Sequence, residues 1–248
     1  MFVPKISFSI PFKISPVSDN KYTGISFGNS LEHDVFTHNS EIDINRLKGL
    51  DIPHFRLIDS KSVRGMCLAK KNPQIFTELV ESGINTIIDL RKEGSNESNY
   101  AKNCWENGLE YFNFKIKENM GFFNLPNTKK ESSAEFKIMM NDFVKQLKYF
   151  FYLMDKGGVY MGCLLGLHRT DLAVCMNYLL NPEEPQTPPT LSHMFYKDET
   201  NFTNKRIGSI KNLLRNLSEK HREYLGLPKN YKEIFDNRIA KLRLMNLV

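Results

Sequence analysis

Val159-Tyr160-Met161-Gly162-Cys163-Leu164-Leu165-Gly166-Leu167-His168-Arg169-Thr170-Asp171 is the stretch on which the reading of this chain turns. A β-branched and aromatic run ends at Cys163. A short loop with a central glycine follows. Arg169 then opens an apolar stretch to about Leu180, with Leu172, Ala173, Met176, Tyr178 and Leu179, that reads as a helix. Strand, thiol, loop, arginine and helix, in that order, build a phosphate-binding cradle with a nucleophile at its floor. A thiol attacks only as the thiolate, and helix N-termini and cations bring its pKa from about 8.5 to roughly 3.5–7.5. The amides of 164–169 point into the concavity and carry partial positive charge. Arg169 adds a planar fork that matches two phosphoryl oxygens. Gly166 lets the loop turn and the backbone approach a ligand. Thr170 has a hydroxyl to donate to the thiolate as it leaves in a second step. The implied reaction is in-line attack of Cys163 on a phosphate monoester, giving a phosphocysteine that water hydrolyses. It calls for no cofactor and no metal, because amides and Arg169 neutralise the transferring group.

Outward from the motif, strand and helix signals alternate. Pro73–Ser82 opens with proline and sets Ile75, Phe76, Leu79 and Val80 on one side, so it reads as a helix. Ile84–Leu90 is a short β-branched run, a buried strand. Asn99–Asn107 reads as a helix and Glu110–Ile116 as a strand. A loop covers Lys117–Ser132. From about Ser133 a long helix carries Phe136, Met139, Met140, Phe143, Leu147, Phe150 and Met154 at three- and four-residue spacing. Prolines break the chain between Asn181 and Pro189. The tail is helical over Thr203–Leu217, Ser218–Leu225 and Lys229 to about Met245. The expected fold is α/β, a central and mostly parallel sheet flanked by helices, with a helical C-terminal tail. The loop 162–170 then lies beyond the carboxyl ends of the strands. Residues 1–45 differ: Lys5–Ile10 alternates like a strand, and 18–45 is polar without helical period. They read as a partly ordered N-terminal extension, with 46–248 as the main domain and its core over 53–180.

Bulk composition narrows the function classes. The chain has 248 residues, 41% of them apolar, enough for one substantial core. It carries 34 Lys and Arg against 28 Asp and Glu, a net +6, which suits anionic substrates. The basic residues are spread out; the densest runs, such as Lys129-Lys130 and Lys205-Arg206, are short, so no nucleic-acid partner is expected. The expected partner is a phosphorylated protein or another anionic phosphomonoester. Four cysteines form no metal-binding spacing, and Cys67, Cys104 and Cys175 are assigned to packing. No apolar run approaches the ~20 residues that span a bilayer, and no secretory signal opens the chain, so no integral membrane segment and a cytoplasmic location are expected.

The loop Cys163-Leu164-Leu165-Gly166-Leu167-His168-Arg169-Thr170 resembles the signature of the cysteine-dependent protein tyrosine phosphatases. Its Gly-x-His-Arg-Thr ending is most similar to their compact dual-specificity-like branch. Ser62-Val63-Arg64-Gly65, then a helix, then Gly83 to Arg91 is similar to that branch's N-terminal half. The resemblance implies the tyrosine-phosphatase-like fold, Cys163 as nucleophile and Arg169 as phosphate clamp. It implies that Leu164, Leu165, Gly166, Leu167 and His168 face the substrate. Two positions depart from the pattern. Gly162 stands where the family has a histidine, and Asp171 where it often has glycine.

The family's general acid is an aspartate from the loop after a mid-domain strand. Here that loop, from Lys117-Glu118-Asn119-Met120-Gly121 onward, has no aspartate before Asp142. Glu118 is the carboxylate best placed to serve as acid. Glu131 lies near a helix start. Asp171 is the alternative, as an acid or as an orienter of Arg169 or His168. Asp89 reads as a structural hydrogen-bonding residue beside Arg91, and Arg64 either supports the loop or is exposed. The greasy loop offers a polyanionic headgroup little extra charge. It favours phosphotyrosine, with or without phosphoserine and phosphothreonine, on proteins. The basic charge keeps inositol phosphates or phosphoinositides as the alternative substrate, and a phospho-binding pseudophosphatase is the rival class.

Overall fold

The structure is a computed structural model that describes residues 42–68, 73–91, 97–116, 134–183 and 200–244. The Lys5–Ile10 strand, the loop from Lys117 with Glu118 and Glu131, and most of the proline-rich break lie outside the described residues. Five strands form one sheet in the order β1-β2-β5-β3-β4. They are β1 (Arg56–Asp59), β2 (Ser62–Met66), β3 (Thr86–Asp89), β4 (Glu110–Asn113) and β5 (Val159–Cys163). The edge strand β1 pairs antiparallel with β2, and every other pairing is parallel. The expected mostly parallel sheet flanked by helices is therefore present, with a helical C-terminal region.

The helices are α1 (Ile44–Lys48), α2 (Gln74–Glu81), α3 (Glu97–Glu106), α4 (Ala134–Lys156), α5 (His168–Leu180), α6 (Thr200–Asn216), α7 (Glu219–Leu225) and α8 (Tyr231–Leu244). Pleating sends alternate residues of the central strands into two cores. Ile88, Val159, Met161 and Cys163 pack with α4, α5, α6 and α8. Ile87 and Tyr160 pack with Leu47 of α1, Ile75, Phe76 and Leu79 of α2, and Tyr100 and Cys104 of α3. The first core begins with aromatic stacking: the Phe114 ring lies 5.0 Å from Phe150 and 5.8 Å from Phe143, centroid to centroid.

Local sequence explains most elements. The apolar stripe of α4 is buried from Met140 to Met154. From Thr170 to Leu180 α5 is buried on every side, as a helix without a polar face must be. Ser218 caps α7, its hydroxyl accepting from the His221 amide. Val80, expected on the buried side of α2, is exposed instead. It lies about 40° beyond Phe76 round the helix, just past the edge of the stripe that Ile75, Phe76 and Leu79 define. The first two strands give a weak sequence signal, because β1 is short and ends in charged residues and β2 holds Arg64 and Gly65 at its centre. Ile42 is already part of the second core, and the Asp43 amide donates to the Ser82 carbonyl at 3.0 Å. No helix among the described residues is long and apolar enough to cross a membrane.

Phe150 is fully buried in the aromatic stack. Truncation by Phe150→Ala should cost about 3–5 kcal/mol, read as a lower urea midpoint with an unchanged slope.

Candidate active site

Three parallel strands end side by side, with β5 between β2 and β3, and this sets the floor of the site. Pairing continues past the strand ends. The Cys67 amide donates to the Cys163 carbonyl at 2.8 Å, and the Leu90 amide to the Gly162 carbonyl at 2.9 Å. Cys163 is thus the last residue of β5, clamped on both sides, with a side chain that is 4% exposed.

The loop 164–167 turns tightly over the end of β2. Gly166 has φ +73, and a Cβ there would stand 2.5 Å from the Gly65 carbonyl carbon and oxygen. Both the left-handed backbone and the close approach require glycine. Gly162 is constrained the same way by distance alone, since a Cβ would stand 2.9 Å from the Gly65 carbonyl oxygen. The β2 backbone therefore leaves no room for the histidine that the resemblance puts before the cysteine.

Not all the loop amides converge, as the sequence reading expects of 164–169. The Gly166 amide turns back to the Cys163 carbonyl at 3.2 Å, closing a turn within the loop. The first hydrogen bond of α5 runs from the Asp171 amide to the Leu167 carbonyl at 2.8 Å. The amides of His168, Arg169 and Thr170 thus belong to the first turn of the helix. Arg169 is half-buried, and its Nη1 donates to the Leu90 carbonyl at 3.3 Å, which sets the guanidinium beside the end of β3. The Thr170 side chain is fully buried, and its Oγ1 has no hydrogen-bond partner among the described residues. Leu164 and Leu165 are 57% and 51% exposed at the tip of the loop, while Leu167 and His168 are half-buried.

Behind the loop lies a buried charge cluster. Asp171 Oδ1 pairs with Arg64 Nη1, and Asp171 Oδ2 with Arg206 Nη1 at 3.0 Å. Arg64, Asp171 and Arg206 are each 1% exposed. Arg64 Nη2 also donates to the Gly166 carbonyl at 2.7 Å. Arg64 therefore supports the loop. Asp171 is turned inward between two guanidiniums. In the sequence Arg206 belongs to no motif and stands only in a short basic run with Lys205. Its signal was position: on a helix Arg206 shares the stripe of Ile210, Leu213 and Leu217, an apolar face where a charge needs a partner.

On the other side of the sheet Asp89 is held by Arg91, with Nη2 to Oδ2 at 2.7 Å and Nε to Oδ1 at 2.9 Å, and by Tyr111, whose hydroxyl donates to Oδ2 at 2.8 Å. The Arg91 guanidinium also lies 5.1 Å above the Tyr100 ring. Asp89 has the structural role expected of it. Among the described residues no group of His, Cys, Asp and Glu is arranged to hold a metal ion.

No family model matches the sequence, and no curated protein matches it. Solved structures do match the chain. The chain is similar to a DUF442 protein of Shewanella putrefaciens CN-32 at 16% identity and TM-score 0.41, over 80% of this chain and 97% of that one. It is similar to the core catalytic domain of the PP-IP phosphatase SIW14 of S. cerevisiae at 13% identity and TM-score 0.36, over 79% and 94%. It is similar to PTPMT1 at 16% identity and TM-score 0.35, over 75% and 99%.

Cys104 and Cys175 are fully buried. Burial pushes both thiols up to about 12. At pH 8 they are neutral, and only a thiolate alkylates. Mass spectrometry after iodoacetamide at pH 8 should find both unmodified in the folded protein and both modified in urea. Labelling of either in the folded state would contradict their assignment to packing.

Proposed function

We propose that the chain hydrolyses phosphate monoesters through a phosphocysteine at Cys163, acting on phosphotyrosine, or on phosphotyrosine and phosphoserine or phosphothreonine, in proteins. The observation that carries this is the placement of Cys163 at the end of β5 with Arg169 in the first turn of α5, across a loop that Gly166 turns. In the first step the Cys163 thiolate forms a sulfur–phosphorus bond as the bond from phosphorus to the leaving oxygen breaks. A proton passes to that oxygen from a general acid. In the second step water attacks phosphorus, the thiolate leaves and inorganic phosphate is released. Arg169 and the amides at the start of α5 hold the equatorial oxygens throughout. Thr170 Oγ1 donates to the departing thiolate.

The substrate assignment rests on Leu164 and Leu165. Two exposed apolar side chains beside the cradle suit the flat ring of an aromatic phosphate. Glu118 is proposed as the general acid, since Asp171 is committed to two arginines. The net charge of +6 supports a second reading, an inositol phosphate or phosphoinositide substrate. A phospho-binding module without turnover is the rival, and the same assay separates it.

A steady-state assay on an aryl phosphate in the presence of EDTA should show turnover that vanadate blocks and Cys163→Ser abolishes. Turnover that survives Cys163→Ser overturns the mechanism. Phosphopeptide binding by the wild type without turnover favours the module, and faster cleavage of an inositol phosphate than of a phosphotyrosyl peptide favours the second reading.

Glu118 has a separate test. A positioned acid contributes about 10²- to 10⁴-fold, mostly where the leaving group is poor. Glu118→Gln should therefore lower kcat on an alkyl phosphate by about 100-fold or more and change little on p-nitrophenyl phosphate. Equal effects on both substrates exclude Glu118 as the acid.

A further inference from the structure

Arg64 is divided between two duties. Its Nη1 is on Asp171 Oδ1, while its Nη2 holds the Gly166 carbonyl at 2.7 Å and reaches the Leu167 carbonyl at 3.5 Å. The second duty shapes the loop. In a trans peptide the carbonyl and the next residue's amide point in opposite directions. A Gly166 carbonyl drawn back to Arg64 turns the Leu167 amide to the opposite side, away from the charge cluster.

A guanidinium beside a carboxylate favours two parallel hydrogen bonds, one to each oxygen. Arg64 would reach that arrangement on Asp171 by moving Nη2 from Gly166 to Oδ2. In this fold Oδ2 is occupied by Arg206 Nη1 at 3.0 Å. All three side chains are 1% exposed, so water does not compete for these positions. Arg206 comes from α6, beyond the proline-rich break, and Ile207 and Ile210 beside it are buried in the core that also contains α5.

We infer that Arg206 is a positioning residue of the cradle: by occupying Asp171 Oδ2 it keeps Arg64 on the Gly166 carbonyl and so holds the loop open to an oxyanion. The C-terminal helix α6 is then part of the working site and not only a cover for the core. This rests on the reading of 163–170 as an oxyanion cradle. Loss of Arg206 acts through Arg64, so it loosens anion binding without removing any group that touches the anion.

The test uses the full chain, with tungstate as a phosphate-like probe measured by titration calorimetry and vanadate inhibition measured alongside. Arg206→Met should weaken both by about 10- to 100-fold, the size expected of a small misplacement in a site. Arg206→Lys, which still brings a cation to Oδ2, should recover most of the loss. Amide resonances of Leu167 and His168 should shift in Arg206→Met and return in Arg206→Lys. A folded Arg206→Met that binds tungstate as the wild type does, with only a lower Tm, overturns the inference and leaves the proposed function standing. Where Arg206→Met does not fold, Arg64→Lys decides, since it keeps the charge and loses the fork. Wild-type affinity in that variant also overturns the inference. A wild type that neither turns over an aryl phosphate nor binds tungstate overturns the cradle reading and this inference with it.

Discussion

The carboxylate of Asp171, buried between Arg64 and Arg206, is the contact on which the arrangement of the site depends. Charges removed from water are costly, and each of the three is tolerable only while its partners are present. Arg64 comes from β2, Asp171 from the first turn of α5 and Arg206 from α6. None of these elements can settle with its charge unpaired. The sheet, the helix that follows the loop and the C-terminal helix are therefore coupled at one point, directly behind Gly166.

The same point explains why the loop is so tight. Gly65, Gly162 and Gly166 bring three stretches of backbone within contact of each other, and a side chain at either loop-side position would meet the carbonyl of Gly65. Tyr160 takes part as well, since its hydroxyl crosses Gly65 to donate to the Met66 carbonyl at 2.6 Å. With the backbones this close, a shift in β2 is transmitted to the loop. Cys163 shares the first core with Cys175 and differs from it by its place, at the end of β5 where the loop begins, whereas Cys175 lies within α5 and Cys104 within the second core.

The fold was legible where its cause is local. The α4 stripe, the mostly apolar α5 and the buried run of β3 each follow from local apolar pattern, and together they imply the parallel sheet. The Cys163–Thr170 loop was legible because its residues are contiguous. Other features depend on residues distant in sequence. The strand order could not be read, because nothing in β1 or β2 says which neighbour each will take. The Arg64–Asp171–Arg206 cluster was invisible as a unit, though two members carried a mark: Asp171 inside an apolar helix and Arg206 on an apolar stripe. A charge on a face that packing must bury calls for a partner. Two such charges of opposite sign in one chain make a case for pairing them before the structure is known.

Gly162 shows how the departures from the expected loop are connected. A histidine before the cysteine would brace the loop from the strand side, but here that side is closed by the β2 backbone. The brace comes from behind, where Arg64 holds the Gly166 carbonyl and Asp171 holds Arg64. Glycine at 171 could not hold Arg64, so the second departure supplies what the first removes. The aspartate in turn brings a buried charge that Arg64 alone would satisfy at the expense of the loop. Arg206 resolves that conflict. The two unusual residues and the helical tail thus form one solution to a single constraint, the close approach of β2 to the loop that follows β5.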